Sequence, residues 1–241
     1  MEYYSTTETG LVREINQDSY ITCTNEYGDL LAIVADGIGG GPDGEIASSI
    51  LAKYFYDVFI ESGPFTSLQN AIDYIGYHID KANRRIYQMG NEYKEYKGMG
   101  TTITGVLITS LGTVCFNCGD SRTYGLKDKE LIQLTNDDTL VNQMIDNGEI
   151  TSEEADNHPK KHYLLKAMGI YKIMDANIYD VKDYDYYLIC SDGLHGYVDS
   201  KKIIDIVYDE EIDIETKVKK LINEALLAGG YDNITVILIK K

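Results

Sequence analysis

The order of elements along the chain predicts an α+β fold, with two stacked antiparallel sheets and a helical layer on each outer side. Short apolar strands come in closely spaced groups joined by polar turns, as in hairpins and meanders. Long amphipathic helices fall between these groups instead of after every strand, which argues against a parallel α/β sheet. No linker, low-complexity tract, internal repeat or shift in composition interrupts the 241 residues. One domain over 1–241 is therefore expected.

The first third reads as strands near 2–10, 19–25 and 29–36. A helix follows, on which Ile46, Ala47, Ile50, Leu51, Tyr54, Phe55 and Val58 repeat at helical spacing. Gly63-Pro64 breaks it. On a second helix, Leu68, Ile72, Ile75, Ile79, Ala82 and Ile86 advance by alternating fours and threes, which keeps them on one face. Strands return near 101–109, 112–117, 122–126 and 130–134. A helical insert comes next: Leu140, Val141, Met144 and Ile145 lie in a helix stopped by Asn147-Gly148. Thr151-Ser152-Glu153-Glu154 then has a capping-box pattern, and His158-Pro159 ends that helix. Strands near 175–181 and 185–191, helices near 200–208 and 213–228, and a strand over 233–240 complete the chain. The last helix should bury Val218, Leu221, Ile222 and Ala225, and Gly229-Gly230 should end it.

The net charge of −17 argues against duplex nucleic acid or an anionic membrane as a partner, since both repel an acidic surface. No apolar run approaches the ~20 residues needed to span a bilayer. The first residues have neither the basic nor the apolar region of a signal peptide. Cys23, Cys115, Cys118 and Cys190 all sit in strand-like segments, as reduced core thiols do. Cys115 and Cys118 have CxxC spacing, but an offset of three on a strand points them to opposite faces, away from a joint metal or disulfide role. A cytoplasmic location and a monomer are the default expectations.

The chemistry lies at strand ends. The apolar run Leu30-Leu31-Ala32-Ile33-Val34-Ala35 stops at Asp36, and Gly37 follows. Tyr186-Tyr187-Leu188-Ile189-Cys190-Ser191 leads to Asp192-Gly193 in the same way, and Asp232-Asn233 opens the final strand. Asp18 and Asp120 stand at two further strand ends. Turn statistics alone would make any one of these a plain turn. Repetition beside strongly buried runs weakens that reading, because carboxylates gathered at one rim repel unless cations sit among them. Oxygen donors without suitable His or Cys point to magnesium or manganese. Asp36 could touch two ions while the unobstructed Gly37 carbonyl supplies another oxygen. Two ions would lower the pKa of a shared water, which suits phosphate-ester hydrolysis. Arg13, five residues before Asp18, could grip phosphate oxygens through two parallel hydrogen bonds.

Six motifs occur in order: Arg13-x-x-Asn16-Gln17-Asp18, Val34-Ala35-Asp36-Gly37-Ile38-Gly39-Gly40, Gly98-Met99-Gly100-Thr101-Thr102, Gly119-Asp120-Ser121-Arg122, Ser191-Asp192-Gly193-Leu194 and Gly230-Tyr231-Asp232-Asn233-Ile234-Thr235. Together they resemble the bacterial metal-dependent protein phosphatases, the type 2C serine/threonine phosphatases, over essentially the whole chain. The insert over about 137–168 is similar to that family's flap. The resemblance implies a four-layer α-β-β-α sandwich with two divalent cations, manganese or magnesium, between the sheet edges. It implies that Asp36 bridges them, Asp192 and Asp232 hold one, the Gly37 carbonyl serves the other, and Asp18 acts through water. Asp120 with Asp192 matches a weaker third metal site, and Arg13 matches the phosphate-gripping arginine. The implied reaction is in-line attack by the bridging hydroxide on phosphoserine or phosphothreonine of protein substrates, opposing a serine/threonine kinase.

Some positions depart from the family pattern. Gln17 replaces a common Glu, Ile38 a histidine of eukaryotic members and Asp138 a frequent His, while Gly41-Pro42-Asp43-Gly44 is worded differently. Gln17 and the wording around 41–44 and 138 motivate an alternative, a regulatory pseudophosphatase that binds a phosphoprotein without turnover. A small-molecule phosphatase is a third reading, since the rim and flap select the substrate. His195 is expected at a helix-start surface position, His158 and His162 on the flap, and His78 exposed on the second helix.

Overall fold

A computed structural model describes residues 1–39 and 43–241. Expectations attached to Gly40, Gly41 and Pro42 lie outside the described residues. The chain runs β1 (Glu2–Glu8), β2 (Ser19–Thr24), β3 (Leu30–Ala35), β4 (Gly37–Ile38), α1 (Asp43–Ile60) and α2 (Leu68–Glu92). It continues through β5 (Gly100–Thr101), β6 (Ile103–Thr109), β7 (Gly112–Cys118), β8 (Arg122–Lys127) and β9 (Glu130–Gln133). The insert holds α3 (Leu140–Asp146) and α4 (Ser152–Asp156). Then come β10 (Asn177–Val181), β11 (Tyr186–Cys190), α5 (Asp192–His195), α6 (Ser200–Val207), α7 (Ile214–Leu227) and β12 (Ile234–Lys240).

Two five-stranded antiparallel sheets form, ordered β1-β12-β11-β8-β9 and β10-β7-β6-β3-β2. The α+β sandwich of the sequence reading is therefore observed. Alternation along single strands explains the layering. In β3, Leu31, Ile33 and Ala35 join the core under α1 and α2, while Leu30, Ala32 and Val34 meet the other sheet. In β12, Val236 and Leu238 face α6 and α7, while Ile237 and Ile239 face β3 and β6. Both faces of each strand are covered, which accounts for the unbroken apolar runs. Cys115 lies between the sheets and Cys118 on the helical side, so the pair is split across β7 as its spacing requires. All four cysteines are free and buried.

Three local differences from the sequence reading bear on the site. The strand expected over 101–109 divides at Thr102 into β5 and β6. A one-turn helix, α5, begins at Asp192 itself. The insert's neck is a narrow ribbon in which Leu140 N donates to Tyr163 O and Leu165 N to Asp138 O (2.9 and 2.8 Å). The Thr151–Glu154 capping box is present as expected. Among the described residues no helix is long and apolar enough to cross a membrane.

Candidate active site

Asp36 leaves the end of β3 and is fixed through its backbone. Its N–H donates to Thr102 Oγ1 (2.9 Å), and its carbonyl accepts from Thr102 N (2.8 Å) and Thr101 Oγ1 (2.9 Å). The break between β5 and β6 is thus the place where Thr102 turns to hold Asp36. Thr102 Oγ1 in turn meets Ser121 Oγ at 2.8 Å, beside Asp120 on the β7–β8 turn. Gly37 N donates to Gln17 O (3.2 Å), and a Cβ on Gly37 would lie 2.3 Å from the Gly44 carbonyl oxygen. Only glycine allows α1 to begin so close to β4.

Asp18 precedes β2 and is buried. Its Oδ2 accepts from Ser191 Oγ (2.7 Å) and Thr235 Oγ1 (2.6 Å), residues from the two strand-end motifs opposite. Asp192 opens α5, and Asp232 lies in the turn before β12. Arg13 Nη2 donates to Asp232 Oδ2 at 2.8 Å.

A cleft of about 480 Å³ gathers these groups. Arg13, Asp36, Gly37, Asp120, Asp192 and Asp232 line it, with Gln17, Thr102, Tyr197 and Tyr231, and His162 from the flap. Asp18 is not part of that lining; it is buried beside it, close enough to Asp36 for its charge to act on that carboxyl. The carboxylates converge without closing into a cage: among the described residues no three metal-ligating side chains surround one point. Of the groups sought, Asp232 is engaged by Arg13 instead. A larger hollow of about 660 Å³ adjoins the cleft under the flap and shares Asp120, Asp192, His162 and Tyr197 with it.

The cluster is electrostatically costly as bare protein. Burial, followed by the charges of Asp18, Asp192, Asp120 and Asp232, raises the Asp36 pKa well above the carboxylate range. Asp192 is raised for the same reasons, by burial and then by Asp120, Asp232 and Asp18. Burial pushes Asp18 and Asp120 up to about 6. The Oδ1 atoms of Asp18 and Asp192 are buried without a hydrogen-bond partner. Orphaned acceptors of that kind cost about 1–3 kcal/mol each, more when charged. The Asp36 carboxyl lies close enough to those of Asp18 and Asp192 for their charges to act on it, and carboxyl groups gathered so closely need a shared proton or a cation between them. The donor set is hard oxygen, so the residues fit divalent magnesium or manganese.

The reading of His195 as a surface residue is corrected here. It is half-buried, its Nε2 bonds the Asp120 carbonyl (3.0 Å), and burial depresses its pKa to about 3. The neutral ring therefore donates and holds the Asp120 turn. His78 is half-buried too, with Nδ1 2.8 Å from Tyr54 Oη. Sequence reasoning gave no role to Asn233, which ties down the Arg13 loop. Its Oδ1 accepts from Gln17 N (2.9 Å), and its Nδ2 donates to Thr9 O (2.8 Å) and Ile15 O (3.0 Å). Thr102, Ser191 and Thr235 were visible only as motif members. Only Ser191 carried a local signal, as a hydroxyl directly before a strand-end aspartate.

Comparison with known proteins bears on what this site does. The protein phosphatase 2C family model matches residues 12–226. The "Serine/threonine phosphatase stp" of Listeria welshimeri is 32% identical over 237 residues, 98% of this chain and 94% of that protein. "Protein phosphatase PhpP" of Streptococcus pneumoniae is 32% identical, with 99% and 97% covered. The crystal structure of serine/threonine phosphatase Stp1 from Staphylococcus aureus superposes with a TM-score of 0.92 at 33% identity, covering 100% of this chain and 94% of that one.

Proposed function

The chain belongs to the protein phosphatase 2C family, and on that premise we infer that it is a metal-dependent enzyme hydrolysing phosphoserine and phosphothreonine in proteins. The observation that carries the reading is the meeting of Arg13, Asp36, Asp120, Asp192 and Asp232 in one cleft, with unpartnered carboxylate oxygens facing a repulsive cluster. Asp36, Asp192 and Asp232, with the Gly37 carbonyl, would hold two divalent cations. Asp18 would act from below through water, and Asp120 with Asp192 would take a weaker third ion. When bound, the cations supply an acidified water and positive charge for the phosphate oxygens.

The chain's own residues do the rest. Arg13 is half-exposed on a loop held by Asn233, so its guanidinium can turn from Asp232 to two phosphate oxygens. Ser191 and Thr235 keep the Asp18 carboxylate oriented by donating two hydroxyl hydrogen bonds. Thr102 fixes the Asp36 backbone, so the carboxyl is presented without reorganisation. His195 holds the Asp120 turn. The meeting of Arg13, Asp36, Asp120, Asp192 and Asp232 in one cleft favours turnover over the binding-only alternative. The reading also takes residues 1–241 as one domain with a flap near 137–168. It makes the protein a cytoplasmic monomer that opposes a serine/threonine kinase, and the four buried free thiols suit a reducing compartment.

Manganese-dependent hydrolysis of a phosphothreonine peptide, lost in Asp36→Asn, is the expected result. Equal turnover in excess chelator would refute it.

A further inference from the structure

One wall of the cleft is neither acidic nor part of the chemistry described above. Tyr231 immediately precedes Asp232, and its ring pairs with that of Tyr197 at a centroid distance of 5.5 Å and an interplanar angle of 36°. Both rings line the cleft with Arg13. The Tyr231 ring lies over Gly229, where a Cβ would come within 2.2 Å of it and φ is +129°; a side chain there would displace the ring. Leu11 lies against Gly230 on the other side, and its N–H donates to the Gly230 carbonyl (2.7 Å). The two loops that carry Arg13 and Asp232 are thus joined where Leu11 meets Gly230, the residue before Tyr231. Leu11 is 70% exposed, Tyr231 54% and Tyr197 38%.

Single exposed apolar residues need no explanation, but a contiguous patch at the rim of a polar cleft does. Tyr197 is also close enough to Asp192, Asp232 and Arg13 for their charges to act on its hydroxyl. We propose that Tyr197 and Tyr231 form a specificity shelf for an apolar side chain next to the phosphoresidue of the substrate. The position supports this occupant: both rings line the same cleft as Arg13, so the residue adjoining a phosphoresidue held there reaches them. A phosphate on Arg13 therefore brings the adjoining substrate residue to the rings. Tyrosine gives such a surface wide contact at low conformational cost. The shelf is open on one side, so discrimination belongs at the low end of what an apolar subsite gives, about tenfold.

This inference rests on the phosphatase reading, and its test separates the two. Three phosphothreonine peptides are compared by kcat/KM in manganese, with both flanking residues leucine, glycine or lysine. The expected result is about a tenfold preference for leucine over glycine flanks. That ratio should fall to within about twofold in Tyr231→Ser and be kept in Tyr231→Phe, since the ring and not its hydroxyl makes the contact. A ratio near one in the unaltered protein, a ratio unmoved in Tyr231→Ser, or a preference for lysine flanks would overturn the shelf while leaving the phosphatase reading intact. Failure to hydrolyse any of the three would sink the phosphatase reading itself.

Discussion

Replacing Asp18 by Asn should make the metal-free protein more stable while damaging its activity. Asp18 is buried, one of its oxygens has no partner, and its pKa stands at about 6 against a usual 3.8. A raised carboxyl pKa means that the folded state holds the proton more tightly than the unfolded chain does. Stability linked to this group is therefore present below the unfolded pKa and is lost as pH rises through about 6. Above about pH 7, ionising Asp18 in the fold costs about 3 kcal/mol, from some two pKa units at 1.36 kcal/mol each. An Asn keeps an oxygen for the Ser191 and Thr235 hydroxyls and carries no charge. In chelator near pH 8, Asp18→Asn should melt about 6–12 °C higher, at 2–4 °C per kcal/mol for a chain of this size. Near pH 4 the advantage should shrink below about 1 kcal/mol, because Asp18 is then protonated in the fold. His195, depressed to about 3, works in the opposite sense, but it is common to both proteins and cancels in the difference. Saturating manganese should reverse the order, since cations stabilise the unaltered cluster more. Scanning calorimetry at the two pH values, with and without metal, reads all of this. A chelated Asp18→Asn protein that melts lower than the parent near pH 8 would refute the electrostatic reasoning.

Two further outcomes follow from the geometry. Asn233→Ala removes three hydrogen bonds that hold the Arg13 loop. With about 1 kcal/mol net for each, it should lower kcat/KM by tenfold or more, and a stopped assay against phosphopeptide concentration should place much of the loss in KM. Gly37→Ala drives a methyl to within 2.3 Å of the Gly44 carbonyl oxygen and 2.5 Å of that of Gln17. It should displace β4 and abolish detectable turnover; a thermal melt run beside the assay shows whether the fold survives.

Much of this arrangement was legible in the chain because burial leaves a local mark. The apolar runs ending at Asp36 and Asp192 are readable since β3 and β11 are covered on both faces and must meet solvent at a polar end. The split of Cys115 from Cys118 follows from the two-residue period of a strand alone. What stayed hidden depends on partners distant in sequence. Nothing near Thr102 says that its hydroxyl will take the Asp36 amide 66 residues away. The Asn233 side chain meets Gln17 across 216 residues. His195 looks like a polar residue at a helix start, and only the packing of α5 beside the β7–β8 turn buries it on Asp120. The Tyr197–Tyr231 pair likewise joins two turns that the sequence shows separately.

On the proposed function, strand-end aspartates hold divalent cations for phosphoester hydrolysis. Titration calorimetry of manganese into chelator-stripped protein, with Asp36→Asn and Asp192→Asn in parallel, tests it most directly. At least two equivalents should bind to the parent, with loss of binding in step with loss of phosphopeptide turnover in both variants. Undiminished manganese binding in both variants, or a parent that hydrolyses the peptide while binding none, would contradict it.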